Sequence, residues 1–175
     1  MHTIKIVMVS NMRFSLILLV FLSSSAFSEI IDFSTKEICV PETDDCISEI
    51  TITSSSSTRV IENLMGPFYL SKKNNQIFDC GGSVLRRMDS ANIIEESGAK
   101  RKIKHTGSII DCGLTKDSTL YWVAYETVSN GKWQAKLFVL DKFGQEIHST
   151  NAEFESIVEF EYKDLKYNVS IPGIP

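Results

Sequence analysis

Histidine is scarce in this 175-residue chain, with three in all, and that scarcity narrows the chemistry first. His is the side chain most often used to move protons near neutral pH. His2 lies in the leader described below, which leaves His105 and His148, neither beside a nucleophile motif. A hydrolytic triad would need parts drawn from distant segments with no local sign of it. Glycine-rich phosphate loops are missing too. Gly81-Gly82 follows a strand-like run but lacks the further glycines or the Lys-Ser pair of a nucleotide site, so it reads as a strand-ending turn. No Cys-x-x-Cys spacing occurs, which removes the zinc and dithiol-redox readings. Glu42, Asp44 and Asp45 lack the alternating ligand pattern and sharp Gly turn of a calcium loop. The expectation is no metal and no cofactor.

Long apolar runs are also lacking beyond the N-terminal leader. A single charge at Arg13, an apolar run from Phe14 to Leu22, and small residues at Ala26 and Ser28 are the three parts of an export signal. Residues 1–28 therefore read as a signal peptide, with Met12 as an alternative start, and residues 29–175 as a single secreted β-rich domain. The apolar run is about half of the roughly 20 residues a membrane helix needs. No cysteine marks the cleavage site for lipid attachment. The expected product has no stable membrane insertion and resides in the periplasm, with the extracellular space as the alternative.

Acids outnumber bases. Lys5 and Arg13 precede residue 29 and no acid does, so 16 of the 18 basic residues face all 22 acidic ones in the mature chain, a net charge of −6. That argues against nucleic acid. Residues 29–46 carry six acids against Lys36 alone, whereas residues 71–105 carry eight basic groups against four acids. Both blocks read as solvated surfaces.

Four cysteines in an exported chain imply two disulfides, for which three pairings exist. Cys39 and Cys46 enclose a short loop whose Pro41 and acidic turn residues suit a closed ring. Cys80 and Cys112 then pair, each within an Asp-Cys-Gly that is read as ending an apolar strand. No free thiol remains to act as a nucleophile.

Antiparallel strands are clearest in the last third. Asn130-Gly131 separates two β-rich runs, Ser118–Val128 and Trp133–Asp141, and is a hairpin signal because both turn positions want φ > 0. The implied register sets Val128 opposite Trp133, Glu126 opposite Ala135, Ala124 opposite Leu137 and Trp122 opposite Val139. Such a ribbon is buried on both faces at its base and projects into water at its tip. A second hairpin turns at Lys163-Asp164, setting Phe160 opposite Tyr167 and Glu161 opposite Lys166. Lys142-Phe143-Gly144-Gln145 reads as another turn, leading to a short strand at Glu146–Ser149.

Earlier in the chain, Ile50 and Ile52 mark a strand running into a flexible loop of serines. Val60, Ile61, Leu64 and Met65 share one helical face before Gly66-Pro67, which predicts a helix over Thr58–Met65. Ser83 is placed to cap a second helix with Arg86 and Arg87 outward. Ser97-Gly98 reads as an exposed turn feeding a basic strand. The fold class is mainly β, an antiparallel sandwich or curled sheet of meander hairpins with one or two short helices, stapled by disulfides.

Function is less legible than fold. Glu126, set among Trp122, Trp133 and Ala124, is the one acid placed to act as a general acid, but no partner acid is identifiable. Binding is the better expectation: a soluble periplasmic protein that neutralises a cell-envelope hydrolase or a toxin. This construction resembles that of immunity proteins and lysozyme inhibitors, although the chain carries none of their motifs. The candidate partner-binding residues are Glu42, Asp44 and Asp45 in the closed ring, and Glu126 near the hairpin tip. The alternatives are an envelope assembly module working through an exposed strand edge and, behind it, an enzyme using Glu126 or His105.

Overall fold

A computed structural model describes residues 28–39, 46–81, 90–104 and 107–173. The leader up to residue 27, the acids Glu42, Asp44 and Asp45, the helix expected from Ser83, and His105 lie outside them. The described residues form thirteen strands and no helix.

The first sheet holds β1 (Ile30–Cys39), β2 (Cys46–Ser54) and β3 (Thr58–Leu64). The second holds β4 (Phe68–Ser71), β5 (Gln76–Asp79), β6 (Ser90–Glu95) and β7 (Lys100–Lys104). The third holds β8 (Ile109–Leu114), β9 (Tyr121–Ser129), β10 (Lys132–Leu140) and β11 (Glu146–Ala152), and β12 (Ile157–Tyr162) pairs with β13 (Leu165–Ser170) in the fourth. Every pairing is antiparallel and joins neighbours in sequence. The antiparallel meander reading is borne out and extends to four sheets.

These sheets stack in chain order. Ile50, Ile52, Ile61 and Leu64 of the first sheet pack on Ile77 and Ile94 of the second. Phe78, Ala91 and Ile93 on the second sheet's other face meet Cys112, Tyr121, Val123 and Leu140 of the third. Ala124, Ala135, Leu137 and Val139, behind them, meet Phe160, Tyr167 and Val169 of the fourth. The two middle sheets are thus apolar on both faces, which is why β5 has no exposed residue. Face-to-face stacking of four-stranded meanders in chain order is also how β-propeller blades pack.

Both expected hairpin registers are found, from Val128↔Trp133 down to Trp122↔Val139 and from Glu161↔Lys166 to Phe160↔Tyr167. The β9–β10 ribbon is buried on both faces at its base, while Trp133 and Val128 at its tip are 63% and 56% exposed. Both disulfides are present, Cys39–Cys46 and Cys80–Cys112, with Cα atoms 3.9 Å and 6.1 Å apart. The first lies across one register pair of β1 and β2; the second ties the second sheet to the third inside their shared core.

Three expectations are corrected. Thr58–Leu64 is strand β3, not a helix. A bulge on β3 between Ile61 and Leu64, opposite Ser48–Ile50 of β2 and with Asn63 at φ 59°, resets the alternation and returns Leu64 to the core three residues after Ile61. That spacing imitates a helical period. The serines are no loose loop but a tight turn, closed by Ser54 N–H and Oγ–H donating to Ser57 O at 2.9 and 3.0 Å. Finally, Asp-Cys-Gly ends β5 at Asp79, but Asp111-Cys112-Gly113 lies within β8. Gly113 faces Trp122 across the ladder, and the indole covers the space its missing side chain leaves.

Asp79 locks the end of β5. It is 1% exposed, and its Oδ1 accepts from Gly66 N and Gly81 N at 3.0 Å while Oδ2 accepts from Asn92 Nδ2 at 2.8 Å. Burial raises its pKa above the ordinary carboxylate value, and these hydrogen bonds offset only part of that rise.

Candidate functional site

The meander gives the molecule two ends, and the turns β4–β5, β8–β9, β10–β11 and β12–β13 all fall at one of them. Hydrogen bonds, most of them partly buried, tie these turns across sheets. Ser71 Oγ donates to Ser118 O at 2.6 Å, and Asn74 Nδ2 donates to Thr119 O at 3.0 Å and Tyr121 Oη at 3.2 Å. Tyr121 in turn donates to Gln76 Oε1 at 2.7 Å, and Gln76 Nε2 donates to Lys142 O at 3.2 Å. Arg101, paired with Glu95 at 3.0 Å, reaches the same Lys142 carbonyl. Burial, more than these polar neighbours, sets the Tyr121 hydroxyl, whose pKa is raised. Polar groups joined in this way fix the relative positions of three turns that sequence keeps far apart, β4–β5, β8–β9 and β10–β11.

Each turn is also shaped from within. Asp141 Oδ1 accepts from Phe143 N at 2.8 Å and Gln145 N at 2.9 Å, while Gly144 takes the left-handed φ of 74° that this turn requires. Lys163 and Asp164 have φ 51° and 63°, the type I′ geometry that suits a two-residue hairpin. Asp117 organises the β8–β9 loop by accepting from Thr115 Oγ1 and Thr119 Oγ1 at 2.7 Å, and from Thr119 N and Tyr167 Oη at 3.3 Å. Burial alone would raise its pKa, but these donors stabilise the carboxylate and the net shift is downward.

Between these turns lies a groove of about 280 Å³, lined by Asn74, Asp117, Thr119, Phe143, Tyr162 and Leu165 among others. Phe143 and Leu165 are 55% and 54% exposed at its wall. Lys142 Nζ and Lys163 Nζ each sit 5.0 Å from a ring centre, that of Phe143 and that of Tyr162 respectively. The site is therefore an apolar wall edged by ammonium groups. It offers a binding surface held rigid from below rather than a nucleophile beside a base.

The residues singled out from sequence are not brought together here. Glu126 is half-buried on β9, opposite Ala135, with its backbone N–H bonded to Ser108 O at 2.9 Å. It lies six residues beyond the groove's Leu120, roughly 20 Å along the strand. The Cys39–Cys46 end of the β1–β2 ribbon is likewise remote, because Ile30, at the ribbon's other end, is the residue bonded to Asn75. Among the described residues, Glu37, Cys39 and Cys46 cluster as metal ligands do, but both sulfurs are in the disulfide and offer no thiolate. His148 is half-buried and stacked on Phe160, with ring centres 5.1 Å apart. The groove residues were legible only as turns. An exposed Phe in the Asp-Lys-Phe-Gly turn was the one available signal.

No protein-family model matches the chain, and no curated protein sequence matches it. Among solved structures, the chain is similar to the Pyrococcus horikoshii acylaminoacyl peptidase in its orthorhombic crystal form (TM-score 0.53, 11% identity, 83% of this chain and 29% of that one). A similar match is an acylaminoacyl peptidase in complex with Z-Gly-Gly-Phe-chloromethyl ketone (TM-score 0.53, 12% identity, the same coverages). The chain spans 29% of the length of these structures. At this identity the likeness concerns the β-sheet fold alone.

Proposed function

We propose that this chain is a soluble periplasmic binding protein that restrains a cell-envelope hydrolase or a toxin, docking through the groove at the turn end. The observation that carries the reading is the pair of exposed apolar residues, Phe143 and Leu165, on turns held by partly buried hydrogen bonds between sheets. A surface already ordered before binding loses little conformational entropy when a partner arrives. Two disulfides suit an oxidising compartment. Glu126, remote from this groove, becomes a secondary contact or none, and Glu42, Asp44 and Asp45 lie outside the described residues.

A photo-crosslinking residue at position 143, with position 60 on exposed β3 as the control, tests this in the cell of origin. The expected result is one envelope protein captured at 143 and not at 60, and loss of that protein's activity at equimolar addition of the purified chain. Equal capture at both positions, or a captured protein whose activity is untouched, would refute it.

Edge strand β1 supports a second reading as an assembly module, since it is exposed from Ser34 to Cys39. Lys36 and Glu37 on that edge disfavour strand addition. Self-association abolished by proline at Ser34 would decide for it.

A further inference from the structure

Resting on the reading of the groove as a docking site, we infer that it receives an acidic segment of the partner carrying an aromatic or branched aliphatic side chain. The apolar side chain lies against Phe143 and Leu165, and flanking carboxylates meet Lys142 and Lys163.

The direction of the groove's charges carries this. Both acids in the lining are engaged locally: Asp117 accepts four hydrogen bonds from its own loop and from Tyr167, and Asp141 Oδ1 accepts two backbone amides of its own turn. The two lysines face outward. Among the described residues the sole ion pair is Arg101–Glu95, so neither Lys142 nor Lys163 has a carboxylate partner there. The neighbouring turns add Lys72, Lys73 and Lys116, against Glu96 and Asp164, in a chain whose net charge is −4. The turn end is thus a cationic exception on an acidic molecule, which is the condition for steering an acidic partner.

Apolar wall and charge are also interleaved. Each ammonium lies over a ring, 5.0 Å from its centre, so an anion held by the lysine brings its neighbouring side chain onto the apolar surface. A volume of about 280 Å³ is at the lower limit for a small-molecule pocket and suits a few residues of an extended peptide.

Fluorescence anisotropy with three labelled heptapeptides tests the inference on the purified chain at low salt. One peptide is Asp/Glu-rich around a central Phe, one has Ser in place of that Phe, and one is Lys-rich around Phe. The acidic Phe peptide should bind at least ~10-fold more tightly than either other peptide, and more weakly at physiological salt. Lys142→Glu with Lys163→Glu should abolish that preference; both lysines are exposed, so the core is untouched. Phe143→Ala should weaken binding without altering the charge preference. The inference is overturned if the Lys-rich peptide binds as well, if acidic binding survives the double reversal, or if a single-stranded DNA oligomer of equal charge binds equally. Failure of all peptides while a protein is still captured at position 143 would sink the acidic-segment inference and leave the docking reading standing.

Discussion

Opening the Cys80–Cys112 bridge should destabilise the fold about twice as much as opening Cys39–Cys46. The bridged residues are 32 apart in sequence in the first case and 7 in the second. Loop-closure entropy then assigns the long bridge about 3.7 kcal/mol and the short one about 2.4 kcal/mol. Burial widens the gap. Cys80 and Cys112 are 0% and 2% exposed in the core between the second and third sheets, so Ala at both leaves cavities costing on the order of 1 kcal/mol. Cys39 is exposed, and the ribbon from Lys36 to Cys39 can fray without unpairing Ile50 or Ile52, whose partners on β1 are Thr35 and Phe33. At 2–4 °C per kcal/mol for a chain of this size, Cys80→Ala/Cys112→Ala should lower Tm by roughly 10–18 °C and Cys39→Ala/Cys46→Ala by roughly 5–10 °C. Thermal melts and urea titrations under non-oxidising handling would read this, with peptide mapping confirming the remaining bridge. Equal shifts, or a larger shift for the Cys39–Cys46 variant, would refute the reasoning.

Asp79→Asn should flatten the pH dependence of stability. The folded-state pKa of Asp79 lies above its unfolded value, so the native state keeps a proton the unfolded chain gives up, and stability declines as pH rises from about 4. Unchanged slopes in urea midpoint against pH would contradict this. Asp117 has the opposite sign: its lowered pKa adds stability above the ordinary carboxylate range that is lost on acidification through the folded-state value. Asp117→Asn should therefore be less stable than the parent at neutral pH, with the two converging in acid; a constant gap would disprove it. Gly113→Ala places a Cβ 3.1 Å from Trp122 Cζ2, so the ring must shift, at a cost of about 1–3 kcal/mol. Trp122 fluorescence, read in a Trp133→Phe background, should change with it, and an unaltered spectrum would mean the ring had room.

What could be read directly from the chain was whatever local chemistry decides. Asn130-Gly131 takes φ > 0 at both positions, 52° and 73°, and the period of two does the rest, so the β9–β10 register followed from a few residues. The disulfide pairing was legible because one ring is short and the remaining two cysteines have no other partner. Local patterning failed where a tertiary neighbour chose the outcome. Val60, Ile61, Leu64 and Met65 fit a helix as well as a bulged strand, and β2, already in place alongside, selects the strand. Gly113 could end a strand in isolation, whereas Trp122 on the adjoining strand lets it sit inside one. The groove was beyond local reading altogether. It is assembled by hydrogen bonds such as Asn74 to Thr119, Tyr167 to Asp117 and Gln76 to Lys142, spanning 45, 50 and 66 residues. Side-chain amides and hydroxyls bonded to distant carbonyls and carboxylates leave no periodicity in the chain. Only the stacking of the sheets brings those turns to one end and leaves Phe143, Leu165 and their lysines facing out together.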